Sequence, residues 1–218
     1  MNHATTIALC VLLLFASCKK DEDGSTPTTP SNDPTSLAHV SEYGQLDSGN
    51  YWVYQKYKVD SADVVLETLG MDSVWMTGDS VIAGETFKTV YRGPSGSQGS
   101  IPRFWRDSLD FLVTATHEKL FWSAPLDQIV YSVYQGPYGV ILDYSVSSTP
   151  ETIVVPAGSF TTHRMSAEIT SIGGFPEQPD WKDPRYFWAE GVGRVRYYET
   201  YSSASWSYRY DLVRYHLQ

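Results

Sequence analysis

The serine whose neighbours come nearest to those of a nucleophile is Ser97, in Gly96-Ser97-Gln98-Gly99. A strand-to-helix elbow that exposes a serine Oγ reads Gly-x-Ser-x-Gly, and here the two glycines stand one residue too close together. The surrounding stretch, Gly93 to Ser100, reads instead as a flexible loop. It also lacks the Gly-Lys-Ser/Thr ending and the following helix with which backbone amides cradle a phosphate. His39, His117, His163 and His216 are scattered, with no His-Glu-x-x-His pair to set two imidazoles on one face, so no zinc site is expected. Asp60-Ser61-Ala62-Asp63 and Asp107-Ser108-Leu109-Asp110 offer too few oxygens for calcium and read as turns. Acids are plentiful enough to assemble a glycosidase pair, but nothing ranks Glu118 or Glu190 above the others. No catalytic residue, metal site or cofactor is expected, and a hydrolase is the weakest of the functional alternatives.

The remaining chemical resource is aromatic: 16 tyrosines and 7 tryptophans, enough to furnish binding faces as well as strands. Trp105, Trp122, Trp181, Trp188 and Trp206 are rings that either stack on sugars and lipids or fill the core of a curved sheet. Trp181, in the polar, Pro-rich stretch Gly173 to Pro184, is the least core-like. Trp181, Trp188 and Trp206 are the candidate binding residues.

These rings must be placed by strands, because from Leu37 onward the apolar period is two. In Tyr51 to Val59, Trp52, Tyr54, Lys56 and Lys58 share one face; Tyr51, Val53, Tyr57 and Val59 share the other. Strand-like runs follow at 64–69, 72–76, 80–82, 86–92, 103–107, 111–116, 120–122, 129–134 and 140–146, separated by Gly and Asp turn signals. Val154-Val155-Pro156-Ala157-Gly158-Ser159-Phe160 reads as a hairpin, with Pro156 at the first corner and Gly158 in the left-handed position after it. Strands at 186–190 and 194–201 flank Gly191-Val192-Gly193, where the glycines predict a bulge or a close backbone approach. In the last run, Trp206, Tyr208, Tyr210 and Leu212 alternate with polar residues. One short helix near 36–43 aside, the pattern predicts a mainly β domain, 37–218. Its single antiparallel sheet of about ten strands is strongly curved or an open half-barrel.

The chain carries 16 Lys and Arg against 25 Asp and Glu, and beyond residue 36 the balance is 14 against 21. An acidic domain lacks the cations that phosphate contacts require, so nucleic acid is not an expected partner. Its two cysteines are Cys10 and Cys18, so residues 37–218 hold no disulfide, thiolate ligand or cysteine nucleophile.

Ile7 to Phe15 is an uncharged apolar run, too short to cross about 30 Å of hydrocarbon as a helix, and it runs into Ala16-Ser17-Cys18. That junction resembles the lipobox of bacterial lipoproteins, although residues 1–6 lack the usual Lys or Arg. The resemblance implies a signal peptide at 1–17, Cys18 bearing a diacylglyceryl group and an acylated amine, and hence attachment to a membrane. Lys19-Lys20-Asp21-Glu22-Asp23 resembles the Lys-then-acidic signal that sends some lipoproteins to the outer face of the outer membrane. Asp21 to Ser36 has no aromatic or large aliphatic residue and reads as a disordered tether, reaching at most roughly 50 Å.

Gly49-Asn50-Tyr51-Trp52-Val53-Tyr54, Val155-Pro156-Ala157-Gly158-Ser159-Phe160 and Tyr186-Phe187-Trp188-Ala189-Glu190-Gly191-Val192-Gly193-Arg194-Val195 together resemble uncharacterised bacterial lipoprotein domains. Those are similar to the half-barrel superfamily of periplasmic lipoprotein carriers, the lipoprotein localisation factors. The match covers the start and the last third of the domain; residues 62–150 supply no motif. It implies a bent antiparallel sheet whose concave face holds a lipid or another apolar ligand, with no catalytic residues to carry over. The alternative expectation is a glycan-binding or adhesin-like surface module, for which an exposed planar row of Trp or Tyr is the diagnostic.

Overall fold

The two-residue period is realised almost throughout as antiparallel strands. The computed structural model describes residues 36–95, 101–135, 139–172, 183–201 and 204–218. The signal and tether with Cys18, the Gly96–Gly99 stretch and Trp181 lie outside the described residues. A short helix α1 (Val40–Gly44) precedes β1 (Tyr51–Val59), β2 (Val65–Ile82), β3 (Glu85–Pro94), β4 (Arg103–Ser108), β5 (Phe111–Thr114) and β6 (Lys119–Trp122). Then come β7 (Tyr131–Gln135), β8 (Val140–Val146), β9 (Glu151–Val155), β10 (Gly158–Ser171), β11 (Arg185–Ala189), β12 (Gly193–Thr200) and β13 (Ser207–His216).

The strand order is β6-β5-β4-β3-β2-β1-β13-β12-β11-β10-β8-β7, with β9 paired to β10 beside this path. Two meanders are thus joined where the first strand pairs with the last, from Tyr51 opposite His216 to Val59 opposite Ser207. This order forces curvature. A flat path of twelve strands at about 4.8 Å spacing would separate β6 from β7 by roughly 50 Å. The chain between them, 123–130, reaches at most about 30 Å. The sheet therefore curls into a nearly closed barrel, and Lys119 of β6 donates from Nζ to the Val130 carbonyl, just before β7, at 3.3 Å.

Thirteen strands replace the expected ten. Pieces of four residues, β5 and β6, pair as full members of the sheet, and the five-residue β9 pairs with β10 beside it. In the other direction, β2 fuses runs that read as three strands. Pairing with β1 carries the strand through Gly70 and pairing with β3 carries it through Gly78, and a register shift at each glycine absorbs it. The hairpin at 154–160 forms as expected, with Val155 opposite Gly158 and Gly158 at φ +141°.

One end of the barrel is plugged. Val40 and Tyr43 of α1 are buried against Leu112, Phe121, Trp122 and Trp188, with ring centroids 4.8 Å apart for Tyr43–Phe121 and 5.3 Å for Phe121–Trp188. The plug is pinned by the Gly191 amide, which donates to the Glu42 carbonyl at 2.8 Å. Gly193, at φ +98°, lets the chain pass closely under Trp52 and the Tyr43 carbonyl. This is the close approach predicted from Gly191-Val192-Gly193. On the outer face, the β9–β10 hairpin lies over β12 and β13. There Ala157 donates to the Leu212 carbonyl at 2.9 Å, and Arg196, paired with the buried Asp211, reaches the Val154 carbonyl at 3.1 Å. Every described residue falls within one compact unit, Ser31–Gln218.

Candidate ligand-binding trough

Away from α1 the interior is open. A cavity of about 510 Å³ is lined by Arg92 of β3, Trp105 of β4, Tyr144 of β8, Tyr186 of β11 and Arg194, Tyr197 and Glu199 of β12, among others. A second, of about 440 Å³, runs beside Val140, Leu142, Ile169 and Tyr201 and shares Tyr144, Tyr186 and Glu199 with the first. Both volumes fall within the range of roughly 300–1,000 Å³ usual for small-molecule sites.

Arg194 enters this interior through a bulge. Three positions separate it from Tyr197, a spacing that places residues on opposite faces of a regular strand. On β11, however, Phe187 faces Arg196 while Trp188 faces Arg194, leaving Val195 as an extra residue. Arg194 and Tyr197 therefore share the interior face. The Arg194 guanidinium lies 4.0 Å from the Tyr197 ring centroid, and Tyr197 stacks on Tyr210 at 4.4 Å with an interplanar angle of 3°. Arg92 continues the column 4.8 Å from the Tyr210 ring. Such cation–ring contacts hold each guanidinium broadside and leave its N–H edge free to bond.

The two arginines differ in their partners. Arg92 is neutralised by Asp72, at 3.1 Å, and by Glu199, which also accepts from the Tyr210 hydroxyl at 2.7 Å. Burial alone would raise the Glu199 carboxyl, but the bonds from Arg92 and Tyr210 outweigh it and hold it below the usual range. Among the described residues no carboxylate lies within 4 Å of Arg194. The Tyr54 hydroxyl donates to the Arg194 carbonyl at 2.7 Å and also interacts with the Arg194 side chain. Burial pushes the Tyr54 hydroxyl up to about 12 and raises those of Tyr144, Tyr186 and Tyr197 as well. All four are neutral hydroxyls at physiological pH.

Of the tryptophans singled out from the sequence, Trp105 lines the first cavity, Trp188 and Trp206 fall elsewhere, and Trp181 lies outside the described residues. Trp188 is 2% exposed, packed on Phe121 and Arg194 in the wall between plug and trough, so its faces are covered. Trp206 is half-buried beside Tyr201 and Tyr208, with Lys58 4.7 Å over its ring. Those three rings are inclined to one another by 51–88°, so they form no flat platform for a sugar. Of the two acids considered, Glu118 lines the first cavity and Glu190 is exposed on the turn after β11. Sequence reasoning passed over Arg92, Arg194, Tyr144, Tyr186 and Tyr197. The available signal was an arginine just after Gly191-Val192-Gly193, in a run rich in aromatic residues.

No family model matches the chain, and no curated protein does. Among solved structures, it is similar to a protein from Bacteroides fragilis described as exported, with a YmcC-like fold. The TM-score is 0.42 and the identity 10%, over 78% of this chain and 96% of that one. It is likewise similar to a protein from Parabacteroides distasonis described as a lipoprotein, at TM-score 0.38 and 13% identity, with the same coverage.

Proposed function

We propose that this chain is a lipid-anchored, non-catalytic binding protein that holds a lipid or other apolar ligand in the trough of its barrel. The observation that carries the reading is the pair of adjoining cavities sharing Tyr144, Tyr186 and Glu199. The second offers Val140, Leu142 and Ile169 to an apolar body, and the first offers aromatic walls and polar groups to a head. The Ala16-Ser17-Cys18 junction supports anchoring through Cys18, and Lys19-Lys20-Asp21-Glu22-Asp23 supports the outer membrane with the domain facing the exterior. Native mass spectrometry of the unit Ser31–Gln218, purified without detergent, is expected to show a fraction carrying co-purified lipid mass. A bare-chain mass that stays unshifted when a medium-chain alcohol is added would remove the trough from consideration.

A further inference from the structure

The open half of the barrel buries hydrogen-bond donors that the protein leaves without acceptors. Tyr197 is 1% exposed, Trp105 7% and Trp188 2%; the Tyr197 hydroxyl and both indole Nε1 atoms lack a partner, as does Nε of Arg194. Tyr197, Trp105 and Arg194 line the first cavity, and Trp188 meets Trp105 and Arg194 on its α1 side. Most buried donors find partners, so three around one space, with a fourth just behind them, form a feature with a sign: the wall offers hydrogens. Charge points the same way. The first cavity is lined by Arg92, Arg103, Lys119 and Arg194 against Glu118 and Glu199, in a chain whose net charge is −9. Counting Asp72, which pairs with Arg92, one positive charge remains.

We propose that the trough is built for an amphipathic monoanion. A carboxylate head sits on the Arg194 fork within reach of the Trp105 and Tyr197 donors, and an apolar body runs past Tyr186 towards Leu142 and Ile169. The inference rests on the trough being the ligand site. A carboxylate fits better than a phosphate because Arg92 is already neutralised and Arg103 is exposed, which leaves Arg194 as the inward guanidinium suited to bidentate pairing. A second ligand charge would exceed the one net positive charge of the lining.

The test is calorimetry at neutral pH on the full chain held in zwitterionic lipid nanodiscs, with empty discs as blank, titrated with octanoate, octan-1-ol and octyl phosphate. Octanoate is expected to bind at least about tenfold more tightly than octan-1-ol, the size of one charge-assisted bond, and no more weakly than octyl phosphate. Arg194→Gln is expected to erase that preference while octan-1-ol still binds. Tyr197→Phe, which removes only the hydroxyl, is expected to weaken octanoate several-fold and leave octan-1-ol unchanged; it carries the test if circular dichroism shows Arg194→Gln misfolded. Equal affinities for octanoate and octan-1-ol would overturn the anion inference and leave the trough reading standing, as would an octanoate preference that survives both substitutions. Binding of neither probe would overturn the trough reading itself.

Discussion

The two ends of the barrel are built from the same strands and the same kinds of residue, yet they treat polar groups in opposite ways. At the α1 end three buried indole and phenol groups have a carbonyl supplied by a neighbouring loop or bulge, and Trp188, on the boundary, does not. Trp52 donates to Val192 at 2.7 Å, Trp122 to Pro125 at 3.0 Å and Tyr54 to Arg194 at 2.7 Å. At the open end Tyr197 and Trp105 are almost as deeply buried and have no such acceptor. Both regions are aromatic, so aromatic content does not separate scaffold from site. What separates them is whether the chain folds back to satisfy what it buries: α1 and the segments 123–130 and 190–192 do so at one end. The α1 end is the fold's keystone, and the open end is where buried donors stay unpaired.

If that division is right, the plug should be the most sensitive place in the molecule. Phe121 is fully buried between Tyr43 and Trp188, and Phe121→Ala is expected to cost about 3–5 kcal/mol in urea unfolding, lowering Tm sharply. A cost below about 1 kcal/mol would mean the plug is not what holds the barrel. Gly193→Ala comes next. The added Cβ would sit 3.4 Å from Trp52 Nε1, an ordinary contact, but φ is +98°, where an L-residue is strained. The expected loss is about 1–3 kcal/mol, and a neutral result would show that β12 can re-enter the sheet by another route.

Much of this scaffold was legible locally. The Pro156–Gly158 hairpin, the paired glycines before β12 and the alternation of β13 are each fixed by residues within a few positions of one another. Closure of the barrel was not, because it follows from β1 pairing with β13 across the whole domain, and no local period reports that. The trough was hidden for the same reason. Arg92 and Glu199 lie 107 positions apart, and Arg194 faces inward only because Val195 is bulged out, so strict alternation assigns it to the wrong face. Nor does residue type tell which indole will find a carbonyl: Trp122 does, three residues on, and Trp105 does not.

The ion pair at the mouth sharpens the comparison through pH. Glu199 is held below its ordinary value by Arg92 and Tyr210 against the opposing pull of burial. A depressed carboxyl contributes stability that is fully present above the unfolded value of about 4.5 and is lost as pH falls through the lower folded value. Unfolding measured at pH 6 and again below pH 4 is expected to show a smaller acid-induced loss in Glu199→Gln than in the parent chain. The side chain is one-third exposed, so the difference should be on the order of 1 kcal/mol. Identical pH slopes would mean that Arg92 relies on Asp72 alone.

The smallest effect is the most discriminating, because it compares one substitution at two sites. Tyr54→Phe removes a hydroxyl that bonds the Arg194 carbonyl and is expected to cost about 0.5–1.5 kcal/mol. Tyr197→Phe removes a hydroxyl at the same depth that bonds no protein group, and in the ligand-free chain it is expected to cost nothing or to stabilise by up to about 1 kcal/mol. The two rings pack edge to face at 5.3 Å, so they share one packing environment and only the fate of the hydroxyl differs. Unequal costs, measured by urea unfolding, would place the boundary between scaffold and site within a single pair of touching rings. Equal costs would show that the Tyr197 hydroxyl is already satisfied, and the open end would then be an ordinary core with a dent in it.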